Sequence, residues 1–503
     1  MKRRTFFRHI AALHMLYPVA FAEKFAWARG LGCERTDRPR QLPAILNPFY
    51  TPGSISGDTF PFYYKGEWHV FHMQMPNIAH HATRDLLSYQ ERPLVVTRGK
   101  AGEPDSDNLA TGTVLEHEGT FYCFYTGNHN VCLATSQDLN HWQKHPGNPL
   151  LTGDEKIYER ENFRDPFVFY NDTEQQWWML IATRLVREPG QRASCVGLAT
   201  STDLITWTLQ KALWATTGSP HTECPQLIRH GELWYLLYLQ RNTRSRFAPT
   251  YKGPFQRAVN LDLGTVLATA GSRPAFDGQR WVSWPFVTRQ TGRSEQGEWQ
   301  YGGHWCVPRE LSFHGDGQVT ERPVRELIAA AHALPTLAAN DLHRSTQVVG
   351  QWHVTEHHAQ CLTAEGGTLL LENTPSDLYL EVDLTLEDRL TDIHFLLRID
   401  ASLKTGYQLS FSAAAGLLTL RSLSYWDVEP VMAVRPVKVI PNQPLKVQMF
   451  MGGTILEVFI SNESSLTARL YKYRQGTFGI EFRDGPGMIE NLILRQLSAG
   501  SIN

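Results

Sequence analysis

A short apolar strand, a tight polar turn and a second apolar strand recur five times in the first two thirds of this chain, and in three copies an acid opens the unit. The plainest copy is Asn162-Phe163-Arg164-Asp165-Pro166-Phe167-Val168-Phe169, followed by a polar turn from Asn171 to Gln176 and a strand from Trp177 to Ala182. A charged pair at the mouth of so apolar a strand calls for a partner or a task. Asp58 opens a second copy, with the turn Lys65-Gly66-Glu67 and the strand Trp68 to His72. Glu223 opens a third, with the turn His230-Gly231-Glu232 and the strand Leu233 to Leu239. Two copies lack the acid: Thr111 to Leu115 with the turn Glu118-Gly119, and a stretch from about Ser272 through Asp277-Gly278 to Trp281–Trp284.

A second motif keeps step with the first. Ala82-Thr83-Arg84-Asp85-Leu86, Ala134-Thr135-Ser136-Gln137-Asp138-Leu139 and Ala199-Thr200-Ser201-Thr202-Asp203-Leu204 each follow a copy's second strand and end on an aromatic residue, so each is expected to hold a third strand. A period of roughly 50 to 65 residues suits propeller blades with long loops. The first strand of each blade lines the central channel, so equivalent positions converge on one axis. The repeat therefore predicts that Asp58, Asp165 and Glu223 share one pocket.

With 503 residues the chain exceeds one ordinary core. It is read as all-β: a leader over residues 1–40, a five-bladed propeller over 41–320, a linker with a short helix over 321–341, and a β-sandwich over 342–503. The helix is expected within Val324 to Leu337, where apolar residues fall at helical spacing. Beyond Thr346 strands resume without the blade repeat. Tyr379–Leu384, Phe395–Ile399, Tyr407–Phe411, Ile455–Ile460 and Gly476–Ile480 alternate in the manner of a sandwich.

Lys and Arg number 48 against 50 Asp and Glu, a balance that gives no support to nucleic acid or an anionic membrane as partner. No stretch is long enough to span a membrane. Lys2-Arg3-Arg4-Thr5-Phe6-Phe7, an apolar run from Ile10 to Ala22 and small residues at Ala20 and Ala22 read as a twin-arginine export signal; the ordinary alternative is a basic leader in a cytoplasmic protein. The seven cysteines show no zinc or redox spacing, and only Cys123 and Cys132 suggest a disulfide after export.

These motifs together resemble glycoside hydrolase family 32, the invertases, inulinases and levanases, from about residue 45 to 495. Phe163-Arg164-Asp165-Pro166 and Glu223-Cys224-Pro225 match its two most specific motifs. Phe124-Tyr125-Thr126-Gly127, Pro308-Arg309-Glu310-Leu311 where the propeller is expected to end, and Leu456-Glu457-Val458-Phe459-Ile460 support them. The first motif departs: around Asp58 stands Ser56-Gly57-Asp58-Thr59-Phe60-Pro61, and only the aspartate is kept. The glutamine that ends the next strand is replaced by Met73, with Gln74 one residue on. Ala110-Thr111-Gly112-Thr113 stands for a tryptophan-serine motif, and Gln226 for an aspartate. The sugar is therefore less fixed than the reaction class.

The resemblance implies a retaining glycosidase with Asp58 as nucleophile, Glu223 as acid/base and Asp165 as transition-state stabiliser. Arg164, Thr111, Gln74 and Cys224 are the expected substrate-binding residues. It implies a carbohydrate substrate, most naturally a β-fructofuranoside, and no metal or cofactor. Glu223 is expected to carry a proton at the start and Asp58 to be ionised. A fructosyltransferase, a hydrolase of another furanoside and a non-catalytic carbohydrate-binding propeller are the rivals. Singly, each acid has an ordinary reading: Asp58 as a turn residue, Arg164–Asp165 as a structural ion pair, Glu223 as a surface acid. Trp68, Trp142, Trp178, Trp207 and Trp234 are expected in blade packing. One of Trp281, Trp284, Trp299 and Trp305 is a candidate for the pocket wall. His80-His81 is expected to be a surface or core pair before a strand.

Overall fold

Two-residue turns close the first hairpin of each of the first two blades. Lys65-Gly66 and Glu118-Gly119 take left-handed φ at both positions, 47° and 84° in one and 51° and 79° in the other. That pair of angles matches the right-handed twist of the strands it joins: Ser56–Tyr64 to Glu67–Gln74, and Leu109–His117 to Thr120–Gly127. The computed structural model of the protein describes residues 46–53, 56–186, 193–216, 221–240, 242–260, 269–270, 273–424 and 428–498. The leader and Ser272 lie outside the described residues.

Four blades are four-stranded antiparallel meanders. Their outer limits are Ser56–Tyr64 to Gln90–Val96, Leu109–His117 to Trp142–Lys144, Arg164–Asn171 to Thr208–Ala215, and Glu223–His230 to Gln256–Asn260. The fifth is interrupted. Ala275–Phe276 and Trp281–Ser283 pair onward to Arg309–Phe313 and Val319–Pro323, and a hairpin of Phe286–Gln290 and Trp299–Trp305 is inserted between them. Pro308-Arg309-Glu310-Leu311 therefore opens the third strand of the last blade, and the blade itself runs on to Pro323. The inserted hairpin pairs Gly303 with Ser56 of the first blade, bonding last blade to first. The innermost strands adjoin in the order Ala275–Phe276, Ser56–Tyr64, Leu109–His117, Arg164–Asn171, Glu223–His230.

The second sequence motif is a turn with one repeated hydrogen-bond pattern. Thr83, Ser136 and Ser201 end their third strands, and their hydroxyls donate to Asp85, Asp138 and Asp203 at 3.1, 3.1 and 2.9 Å. The same hydroxyls accept from the amides of Leu86, Leu139 and Leu204, and these leucines share φ of 63°, 63° and 66°. Trp142 and Trp207 then donate their indole N–H to the Leu139 and Leu204 carbonyls, both at 3.1 Å. The local sequence thus writes the blade's outer corner three times.

The helix forms over Arg325–His332 and buries Leu327, Ala330 and Ala331. Among the described residues the sandwich consists of two seven-stranded sheets. Strands such as Leu378–Leu386 and Asp392–Ile399 send leucine, isoleucine and phenylalanine into a common core that includes Leu380, Val382, Phe395 and Leu397. A second core joins the two domains, packing Phe49, Trp284 and Trp305 of the propeller with Tyr379, Phe450 and Phe459 of the sandwich.

Two expectations change here. Cys123 and Cys132 are buried free thiols. In the Thr120–Gly127/Asn130–Ser136 pair Cys123 faces Ala134 and Cys132 faces Tyr125, so the two are diagonal, roughly 7–8 Å apart, beyond the reach of an unstrained disulfide. His80 and His81 lie within the third strand of the first blade and are buried. They pair with His69 and His72, each at 3.0 Å. Burial holds His69 down at about 4 and His72 at about 3, so these are neutral core imidazoles.

Candidate active site

Each acid-bearing strand begins with the same irregularity. In the first, third and fourth blades two residues of the inner strand oppose one of its neighbour: Asp58 and Thr59, Asp165 and Pro166, Cys224 and Pro225. The first of each pair is left-handed, with φ of 43°, 57° and 48°. Aspartate tolerates this region better than most residues, and bulges of this kind re-aim side chains beside active sites. The second blade has its bulge at Thr111. The register also corrects the sequence phase. Asp58 and Asp165 are equivalent, but their counterpart in the fourth blade is Cys224. Glu223 stands one residue earlier, in step with Arg164 and Gly57.

The bulges bring these residues around one cavity of about 290 Å³, at the small end for ligand pockets. Asp58, Arg164, Asp165, Glu223 and Cys224 line it, together with Asn108, Phe286, Trp299 and Tyr301. Arg164 Nη2 donates to Glu223 Oε1 at 2.6 Å, and Arg164 Nε lies 3.8 Å from Asp165 Oδ2. The Cys224 amide donates to Asp165 Oδ2 at 3.1 Å, and the Asp165 amide donates to Thr126 Oγ1 at 2.8 Å. Asp165 is buried, whereas the Glu223 side chain keeps a third of its surface exposed.

Tyr301 and Thr111 hydrogen-bond the Asp58 carboxylate. The Tyr301 hydroxyl also meets Met73 Sδ at 3.2 Å. A Cβ on Gly57 would lie 2.5 Å from that hydroxyl, so glycine at this position is what lets Tyr301 reach the acid. Burial, then the charges of Asp165 and Glu223, push the Asp58 carboxyl up to about 7 against the pull of these two hydrogen bonds. The expectation of a fully ionised Asp58 thus gives way: three carboxylates surround the cavity, and Arg164 pairs with Glu223 and Asp165. Asp165 is raised by burial, with Arg164 and Arg273 opposing.

The predicted substrate-binding residues divide. Arg164 and Cys224 line the cavity. Thr111 sits behind it, with its hydroxyl 3.9 Å from Met73 Sδ and 3.7 Å from Cys224 Sγ. Gln74 is not among the lining residues. It pairs with Ser56, and its carboxamide nitrogen would lie 2.8 Å from a Cβ on Gly53. Alternation along the strand gives the position beside Gly57 and Tyr301 to Met73 instead. Of the four candidate tryptophans, Trp299 lines the cavity. Trp284 and Trp305 are buried and donate to Tyr89 and Ser56 at 2.8 and 3.1 Å, and Trp281 packs against Phe313. Sequence reasoning missed Asn108, Tyr301 and Arg273. Among the described residues no group of three or more His, Cys, Asp or Glu side chains has a geometry suited to a metal ion.

Carboxylates from three blades gathered around one cavity are the equipment of glycoside hydrolases, which work with paired acids across a glycosidic bond. The profile described as the glycosyl hydrolases family 32 N-terminal domain matches residues 59–323, and the chain belongs to that family. The raffinose invertase of Escherichia coli is 25% identical over 461 residues, covering 81% of this chain and 85% of its own length. The sucrose-6-phosphate hydrolase of Escherichia coli is 24% identical with the same coverage. Among solved structures, the fructan 1-exohydrolase IIa of Cichorium intybus superposes with a TM-score of 0.69 at 17% identity, over 90% of this chain and 98% of its own. The sucrose-6-phosphate hydrolase of Lactobacillus gasseri gives 0.68 at 18%, over 91% and 93%. The chain is thus a hydrolase of the invertase and levanase family with that family's fold. The profile match begins at the residue after Asp58, so Ser56-Gly57-Asp58 of the altered first motif lie outside it.

Proposed function

We propose that the protein hydrolyses β-fructofuranosidic bonds with retention of configuration. The observation that carries this reading is the meeting of Asp58, Glu223, Asp165 and Arg164 in one cavity. Asp58, ionised, attacks the anomeric carbon. Glu223 gives its proton to the departing glycosidic oxygen, and a covalent fructosyl-enzyme remains. Glu223, now a carboxylate, takes a proton from water as that water attacks the same carbon, and Asp58 leaves. Asp165, held by the Cys224 amide, is placed to bind sugar hydroxyls while positive charge develops on the ring. Arg164 offsets part of the cluster's negative charge and holds Glu223 until substrate displaces it.

The test is sugar release from sucrose, raffinose, sucrose 6-phosphate, inulin, levan and aryl furanosides by wild type, Asp58→Ala and Glu223→Ala. Cleavage of a fructoside that falls by roughly 1,000-fold or more in both variants supports the reading. Cleavage confined to a non-fructose furanoside replaces the substrate and keeps the acids. Reaction in methanol reports the stereochemistry: retention gives the methyl β-fructofuranoside, and the α anomer would refute the covalent route.

A further inference from the structure

Arg273 is almost wholly buried at the propeller's axis, and the site as read so far does not use it. Its backbone amide donates to the Thr59 carbonyl at 3.1 Å, next to Asp58 in the first blade. Its guanidinium donates to the Gly112 carbonyl and to Thr113 Oγ1 of the second blade, the latter at 3.3 Å. It also donates to the Asp165 and Pro166 carbonyls of the third, at 2.7 and 3.0 Å. The next residue, Pro274, accepts from Gln226 Nε2 of the fourth blade at 2.9 Å. Arg273 itself leads into the first strand of the fifth. One dipeptide therefore touches the inner strands of the other four blades, each time at or beside the bulge.

Such a clasp needs only hydrogen-bond donors, yet the residue used is a cation. The charged and titratable groups that act on it are Cys224 on the fourth blade, Asp165 on the third and Asp58 on the first; Arg164 and Glu223 act in turn on Asp165, and Tyr301 on Asp58. On the second blade it meets the Gly112 carbonyl and the Thr113 hydroxyl. Arg164 reaches both Glu223 and Asp165 from the cavity side; Arg273 is a second cation acting on Asp165, from behind.

We propose that Arg273 is a positioning residue for the acid cluster, fixing from the axis the bulges that carry Asp58 and Asp165 and supplying the buried positive charge that lets both be carboxylates. Its part in turnover rests on the hydrolytic reading above; its electrostatic part does not. A backbone clasp alone would make its loss equally harmful at every pH. A compensating charge makes the loss worse where the acids are ionised.

The experiment compares the melting of wild type, Arg273→Met and Arg273→Lys at pH 5 and pH 8, with no substrate present. The proposal expects Arg273→Met to lose more at pH 8 than at pH 5, and Arg273→Lys to recover part of the difference. Equal losses at the two pH values would overturn it. Should Arg273→Met not fold, Asp165→Asn is added to it: regained folding supports the proposal, and continued failure overturns it. With an active fructoside in hand, the acid limb of kcat/KM should move up by roughly one pH unit in Arg273→Met and by less in Arg273→Lys, which keeps the charge; an unmoved limb in Arg273→Met would count against the charge. Because melting needs no turnover, an enzyme inactive on every fructoside would sink the hydrolytic reading and still leave Arg273 decided.

Discussion

Arg164 and Glu223 occupy the same register position in neighbouring blades, each one residue ahead of its bulge, and Arg164 Nη2 donates to Glu223 Oε1 at 2.6 Å. The guanidinium is the more buried partner, with 18% of its side-chain surface exposed against 33% for Glu223. Replacing Arg164 with Met removes the charge-assisted bond that sets where the Glu223 carboxyl rests. The expected cost is roughly 100-fold in kcat, the scale of an ångström's misplacement of a reacting group. Arg164→Lys should restore only part, because a lysine cannot reach Glu223 and Asp165 with one planar head. Steady-state kinetics on the best fructoside decides; a change confined to KM would mean Arg164 acts on substrate alone.

The raised Asp58 gives the enzyme a pH signature. A nucleophilic carboxylate works only when ionised, and its folded value stands at about 7. The free enzyme should therefore gain kcat/KM as pH rises through about 7, since that ratio reports groups of the unliganded enzyme. Tyr301 and Thr111 pull Asp58 down by hydrogen bonding. Tyr301→Phe should move the limb to higher pH, with a larger loss at pH 6 than at pH 8. A limb that stays in place would show that Tyr301 does not serve the nucleophile.

The sequence made the blades legible because each blade writes its own corners. Glycine turns and the Ser/Thr–Asp–Leu motif are local devices, readable without knowing what lies across the axis. The pocket was legible for the same reason, since a propeller turns a repeat position into a shared location. What escaped depends on register or on distance. The bulges shift Glu223 out of phase with Asp58 and Asp165, and a one-residue slip reverses the face a side chain takes; the same alternation put Met73 rather than Gln74 against Tyr301 and Thr111. Tyr301 arrives on a hairpin inserted into the last blade. Arg273, in Arg273-Pro274-Ala275-Phe276, carries no local mark of its task, because its partners are carbonyls of other blades.

Asp58 should also weaken the fold at neutral pH. Its folded value of about 7 lies above the ordinary 3.8. The folded protein thus holds a proton that the unfolded chain has released, and stability falls as pH rises through this window and levels off above it. The full effect is on the order of 4 kcal/mol, an upper bound for a group coupled to two other acids. Asp58→Asn should melt above wild type at pH 8, and the gain should shrink toward pH 5. Scanning calorimetry at the two values tests this, and a gain independent of pH would assign it to packing.

The two domains are locked by a buried ion cluster whose members lie far apart in sequence. Arg309 of the last blade donates through Nη1 to Glu321 and through Nη2 to Glu457 of the sandwich, and to Thr467 Oγ1 at 2.7 Å. Glu457 also accepts from the Val307 amide at 2.7 Å and is wholly buried. Taking one partner from a buried pair leaves an uncompensated charge, so Arg309→Met should cost about 3–5 kcal/mol. Removing the stranded charges as well, with Glu321→Gln and Glu457→Gln, should recover most of that loss, since both amides can still accept from Ser465 and Val307. Chemical denaturation of the single and triple variants separates this from simple loss of packing, in which case the triple variant would be no more stable than the single one.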